Sequence, residues 1–185
     1  MHMLGIIIEM NINELDIWLH ISPMFHLVDA FSIYSLPYVS GKQIIQNRYN
    51  IENTIKYLSK YKITISNIAS TVGKIIIQSS IINKYKYCLR ILSCGGSPLD
   101  NLTVKKIKDI FNCEFFISYG MTECCGKISM SILNETNRNN YDYICTSGRP
   151  FSMTEVLILE DNGDEIIEND IVGNIFIRGN SLFKG

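Results

Sequence analysis

Short β-branched runs alternating with stretches of helical periodicity restrict the architecture open to this chain more than any other feature. Trp18 to Ile21, Ile63 to Ile68, Leu89 to Cys94 and Phe115 to Ser118 are brief apolar segments that suit strands. Between them, Ile51, Ile55, Leu58 and Tyr61, and then Val72, Ile75, Ile76 and Ile82 after Ser70, recur at the spacing of one helix face. A third helix carries a start signal in Ser97-Pro98-Leu99-Asp100: Ser97 as N-cap, Pro98 at the first helical position and an acidic residue at the third, with the helix running to about Phe111. This alternation predicts an α/β fold with a largely parallel sheet flanked by helices. From Glu155 the pattern changes. Val156-Leu157-Ile158-Leu159 and Ile175-Phe176-Ile177 flank the turn cluster Asp161-Asn162-Gly163-Asp164 with no helix-length insert, which predicts antiparallel β-hairpin elements at the C-terminal end. Residues 1–150 are thus expected to form an α/β core segment and residues 151–185 the start of a β-rich subdomain, with Asn134 to Asn140 as a surface loop.

Bulk properties exclude more than they select. With 185 residues, 46% of them hydrophobic, the chain can bury one core. A net charge of -1 supplies no basic field, so no nucleic-acid partner is expected. The six cysteines (Cys88, Cys94, Cys113, Cys124, Cys125 and Cys145) show neither zinc-type pairing nor the density of a secreted scaffold, which predicts reduced thiols and an intracellular, cytoplasmic setting. The apolar run Met3 to Ile8 is too short for a spanning helix and lacks a basic leader, so neither a transmembrane segment nor a targeting signal is expected.

The segment richest in chemistry is Phe115-Phe116-Ile117-Ser118-Tyr119-Gly120-Met121-Thr122-Glu123, a hydrophobic strand running into an aromatic, a glycine, a hydroxyl and a carboxylate. A tyrosine ring can cover a base, glycine lets backbone approach a ligand, threonine can donate to a phosphate oxygen and glutamate can hold Mg²⁺. The carboxyl end of a strand is also where α/β proteins place ligands. The bland alternative is an ordinary strand exit with a surface carboxylate.

Tyr119-Gly120-Met121-Thr122-Glu123 resembles the Tyr-Gly-x-Thr-Glu signature of the adenylate-forming (AMP-binding) superfamily of acyl-CoA synthetases, luciferases and peptide-synthetase adenylation domains. Other segments agree in order. Leu19-His20-Ile21-Ser22-Pro23-Met24-Phe25-His26 is similar to the family's Pro-Met-Phe-His segment, and Ser93-Cys94-Gly95-Gly96-Ser97-Pro98-Leu99 to its Gly-Gly-x-Pro adenine turn. Ser147-Gly148-Arg149-Pro150 and Val172-Gly173-Asn174-Ile175-Phe176-Ile177-Arg178-Gly179 resemble two later segments, and three of the four prolines fall inside these matches. The wording leans toward fatty acid–CoA ligases, and the chain resembles an internal part of such an enzyme's large N-terminal domain.

The resemblance implies a reaction in which a carboxylic acid and ATP give acyl-AMP and pyrophosphate, after which the acyl group passes to CoA. It implies that Gly95, Gly96 and Ser97 line adenine, that Tyr119 stacks on the purine with Gly120 and Met121 beside it, that Thr122 touches the α-phosphate, and that Glu123 coordinates Mg²⁺. His26 would stand near the acyl carboxylate and the CoA passage. His20, inside a strand, and His2, near the terminus, are expected to have no such role, and Cys124 and Cys125 are expected to form acyl-pocket wall. Two departures stand out: Ser70 replaces a proline common in relatives, and Lys127 puts a charge where many have apolar residues.

Met1 to Ile17 holds nothing like the family's Ser/Thr/Gly-rich phosphate loop, and the ribose-binding Asp and adenylation lysine would lie beyond Gly185. The chain alone is therefore expected to need N-terminal and C-terminal parts of the enzyme and to be inactive as a ligase. The alternative is a non-catalytic remnant, or a nucleotide-binding or interaction module derived from that family. A dehydrogenase reading fails because Gly95-Gly96 is not part of a Gly-x-Gly-x-x-Gly turn.

Overall fold

The computed structural model of the protein describes residues 1–133 and 146–184. The expected loop at 134–140 and Cys145 lie outside the described residues. Four parallel strands at the centre correspond to the four read from sequence: β1 (Ile17–His20), β3 (Ile65–Ala69), β4 (Ile91–Gly95) and β5 (Glu114–Met121). To these the structure adds an outer parallel strand, β2 (Lys42–Ile45), and two antiparallel ones, β6 (Gly126–Leu133) and β7 (Arg149–Pro150). The sheet order is β2-β1-β3-β4-β5-β6-β7. A second, two-stranded antiparallel sheet pairs β8 (Thr154–Leu159) with β9 (Asn174–Gly179), as the turn cluster predicts.

Helices cover both faces. On one, α3 (Ile51–Lys60), α4 (Ser70–Gln78) and α5 (Asn101–Phe111) bring Ile55, Leu58, Ile76, Val104, Ile107 and Phe111 against Leu19, Ile68, Leu92 and Phe115. On the other, α1 (His2–Glu9) and α2 (Ser32–Tyr38) set Ile6 and Leu36, with Met10, Phe31 and Phe151, against Trp18, Ile65, Ile91, Phe116 and Met130. Helices cover the sheet on both faces, which explains why the strands read as largely apolar runs. Chain order reverses direction across the sheet at the β1/β3 boundary, and in open α/β sheets the crevice at the carboxyl ends beside such a reversal is where ligands bind.

One expected boundary shifts. Asp100, not Ser97, caps α5: its Oδ1 accepts from the Thr103 amide at 2.9 Å and its Oδ2 from the Thr103 hydroxyl at 2.9 Å. A carboxylate offers two acceptors to the first turn where a serine offers one hydroxyl, so the helix starts three residues later than expected and Ser97-Pro98-Leu99 remains a loop. That loop is part of the site.

Candidate functional site

The corner after β4 owes its shape to two glycines and one hydroxyl. Gly96 has φ +91°, a left-handed backbone that favours glycine, and its chain neighbour Gly95 packs so closely on β5 that a Cβ there would sit 2.8 Å from Ser118 Oγ. The Ser70 hydroxyl, buried at the start of α4, donates to the Ser97 carbonyl and ties the corner down. The corner is thus tethered by a hydrogen bond that reaches across 27 residues of chain.

The second corner leaves β5. Its register with β6 shifts between Tyr119 and Gly120, so that Tyr119 pairs with Ser129 but Gly120 with Lys127. Such a bulge tightens the local twist and re-aims side chains. A Cβ at Gly120 would fall 1.9 Å from the Gly126 carbonyl oxygen, so only glycine admits this approach. Thr122 to Cys124 then form a 3₁₀ turn, and Cys125 (φ +57°) and Gly126 (φ +119°) bring the chain back as β6.

These corners share one cleft. A cavity of about 300 Å³ is walled by Gly96, Ser97 and Pro98 on one side and by Tyr119 and Gly120 on the other, with Ser147 closing it. A second cavity of about 150 Å³ adjoins it through Gly96, Ser118 and Gly120, and brings in His26, Gly95, Met121, Thr122, Asn67 and Lys127. The residues named from sequence are thus gathered at the carboxyl ends of β3, β4 and β5 and in the loop after β1. Of the expected catalytic and nucleotide-binding residues, Glu123 alone lines neither cavity. It is exposed one residue beyond Thr122, and its backbone carbonyl accepts from the Phe183 amide at 2.9 Å.

The loop bearing His26 is held by a buried network that sequence reading missed. Asp29, fully buried, accepts from Trp18 Nε1 at 2.8 Å and lies 3.1 Å from His20 Nδ1, while His20 Nε2 meets Gln43 Oε1 at 2.7 Å. Burial acts to lower the His20 pKa, but the Asp29 carboxylate outweighs it, so the net shift is upward. His20, expected to be inert, is therefore a positioning residue for the loop from Ile21 to Phe31. The available signal was a histidine on a strand with an acidic residue shortly after it.

A family model described as AMP-binding enzyme matches residues 2–185. This chain belongs to the AMP-binding enzyme family. It is 25% identical over 174 residues to 4-coumarate–CoA ligase of Pinus taeda, covering 92% of this chain and 32% of that protein. It is 23% identical to 2-succinylbenzoate–CoA ligase of Bacillus pumilus, covering 96% of this chain and 35% of that one. Among solved structures, O-succinylbenzoate coenzyme A synthetase of Bacillus subtilis, in complex with ATP and magnesium, superimposes with a TM-score of 0.85 at 20% identity, over 100% of this chain and 37% of that chain. The chain spans about a third of the length of the curated relatives it matches.

Within this AMP-binding domain, neither Cys124 nor Cys125 lines the two cavities; Cys124 is buried in the turn and Cys125 is exposed on it. Gly126 and Lys127 line the smaller cavity instead, after the register shift between β5 and β6. In the segment from Ser147 to Pro150, Ser147 lines the larger cavity while Gly148 and Arg149 fix the backbone. A Cβ at Gly148 would lie 2.1 Å from the Met130 backbone, and Arg149 forms a two-pronged pair with Glu9 of α1, Nη1 to Oε1 at 3.1 Å and Nη2 to Oε2 at 2.5 Å. Among the described residues no cluster of three potential metal ligands occurs, and no helix is long and apolar enough to cross a membrane.

Proposed function

We propose that this chain forms the middle of the active site of an ATP-dependent acid–thiol ligase, one that activates a carboxylic acid as acyl-AMP and passes it to CoA. The observation that carries this reading is the shared cleft between the Gly96–Ser97 corner and the Tyr119–Gly120 corner. The cleft presents backbone edges on one wall and an aromatic ring on the other, which suits a purine held by hydrogen bonds along its rim and stacking on its face. Gly95 and Gly96 would keep the adenine wall flat, Tyr119 would cover the ring, and Gly120 and Met121 lead to Thr122, whose hydroxyl would donate to the α-phosphate.

The adjoining cavity takes the acid, with His26 beside its carboxylate and the CoA thiol's approach. Mg²⁺ would be held by Glu123. A single protein carboxylate fits this ion, which keeps waters and takes its other ligands from phosphates. When bound, it neutralises the charge that develops as the acid oxygen attacks the α-phosphorus. A fatty acid as the substrate rests on motif wording alone.

Lys127 is the only cation among the residues lining the two cavities, and its ammonium is buried against Ser93. The residues lining the two cavities thus supply no other lysine or arginine to a departing pyrophosphate, and each missing preorganised donor costs on the order of 10²–10³ in rate. The 185-residue chain is expected to bind AMP but to show no pyrophosphate release above background. Tyr119→Ala should weaken AMP binding by about tenfold, the worth of about 1–3 kcal/mol for an aromatic–base stack. Unchanged affinity, measured by calorimetry, refutes the cleft as the purine site. Turnover dependent on Glu123 refutes the expected inactivity.

A further inference from the structure

Lys127 is 5% exposed, yet no described carboxylate pairs with it. Its Nζ donates to Ser93 Oγ at 2.8 Å and lies 5.1 Å from the centre of the Phe31 ring. Ser93 is paired in register with Asn67, which places Asn67, Ser93 and the Lys127 amine along one face of the sheet, a face otherwise packed with Trp18, Ile65, Ile91 and Phe116. Asn67 and Lys127 both line the smaller cavity. Asn67, 1% exposed, gives its Nδ2 to the Val28 carbonyl and leaves Oδ1 without a partner. Strand parity alone would put Lys127 on the opposite face from Met130, and the bulge at Tyr119/Gly120 turns it over.

A buried ammonium with one neutral hydroxyl is costly unless something anionic joins it. Burial drags the Lys127 pKa down to about 7, with Cys94 acting weakly the other way. His2 of α1, which accepts from the Lys127 amide at 3.4 Å, is itself lowered to about 4, by burial first and then by Lys127 and the chain's amino group, and so brings no charge near neutrality. A plain hydrocarbon tail in the cavity would leave this cost in place.

We propose that the acid taken by the smaller cavity carries a second, distal carboxylate, which seats against the Lys127 ammonium beside Ser93. The inference rests on the acid-activating reading above and narrows it from carboxylic acids in general to dicarboxylic ones. The distal carboxylate accepts from the amine, whose remaining N–H groups lack acceptors among the described side chains, while the reacting carboxylate stays at the His26 and Thr122 end.

The test is calorimetric titration of the 185-residue chain, saturated with AMP, with adipate, hexanoate and 6-hydroxyhexanoate. Adipate is expected to bind at least about tenfold tighter than hexanoate at pH 6.5. Its affinity should fall as pH rises through 7, by up to about tenfold per unit, because binding holds a proton on the amine. Lys127→Met, which keeps His26 and His20, should erase both the preference and its pH dependence, and relief of the buried charge should raise its melting temperature. Ser93→Ala, which leaves the charge in place, should retain the preference. Equal binding of adipate and hexanoate overturns the inference, as does a preference for 6-hydroxyhexanoate, which would mark a neutral polar tail. If neither AMP nor any acid binds, the ligase reading itself falls and the dicarboxylate inference falls with it.

Discussion

Gly120 shows how one missing Cβ can hold a site together. The bulge lets the Gly126 carbonyl come to where a side chain would begin, and that contact sets Tyr119 toward the larger cavity and Lys127 toward the smaller one. Gly120→Ala is expected to cost about 1–3 kcal/mol, the usual penalty of forcing an atom into packed space, and chemical denaturation would measure it. A stability within 0.5 kcal/mol of the parent, a rough limit for harmless surface changes, would refute the close approach. Tyr119 and Thr122, which line the cavities, stand out in the sequence because the motif clusters side chains with complementary chemistry; Glu123 stands out for the same reason but lines neither cavity. Lys127 was legible only as an oddity, since its orientation depends on a register shift that no local pattern announces. Ser70 was noticed for the proline it replaces, but its bond to Ser97, 27 residues on, belongs to tertiary structure.

At the level of elements, the loop between β1 and α2 is secured by Asp29, which joins Trp18, His20 and Ser32. Because the folded-state pKa of His20 is raised above its ordinary value of 6.5, its pairing contributes stability that is complete below 6.5 and is lost as pH rises through the raised value. The unfolding free energy of the parent should therefore decline relative to His20→Gln as pH increases from 6 to about 8. Parallel pH curves for the two proteins would show that the ion pair contributes nothing. Lys127, with its depressed pKa, acts in the opposite sense, so the comparison must be made against the His20 variant rather than from the parent curve alone.

The elements legible in advance were those with long, clean periodicity: α3, α4, α5 and the four central strands. Others were missed for specific reasons. In β6, Lys127, Ser129 and Ser131 alternate with Ile128, Met130 and Ile132, a usable signal that the neighbouring cysteines overshadowed. α2 contains Pro37, and β2 is four residues long at the sheet edge, so neither carries a strong pattern. The run from Met3 to Ile8 reads as a hydrophobic stretch, and becomes a recognisable helix only when Phe151 and Trp18 are there to cover it.

For the molecule as a whole, the end of the sheet opposite the site is fastened by Asp16. Its carboxylate, 2% exposed, receives Arg90 Nε at 2.8 Å and Nη2 at 2.6 Å, the Thr64 hydroxyl at 2.8 Å and the Asn13 amide at 2.9 Å. This one side chain links the starts of β1, β3 and β4. Burial works to raise its pKa, but the bonds from Arg90, Asn13 and Thr64 together hold it below its ordinary value. Its contribution is therefore present above about pH 4 and is lost as pH falls through the depressed value. Asp16→Asn keeps the shape but weakens charge-assisted bonds worth about 1.5–3 kcal/mol each, and a loss of that order is expected in denaturant melts at pH 7. No loss would mean that the two-layer core alone sets the strand alignment.

The register shift beside Tyr119 also bears on how such a domain can change its diet. Because the turn from Thr122 to Gly126 sets which layer receives each β6 side chain, adding or deleting a single residue there would exchange the Lys127 amine for an aliphatic group in the smaller cavity. The glycine corner after β4 and the first half of β5 would be left untouched. Turn length, more than point substitution, is then a simple dial by which descendants of this scaffold could make the smaller cavity charged or greasy while keeping the neighbouring cleft.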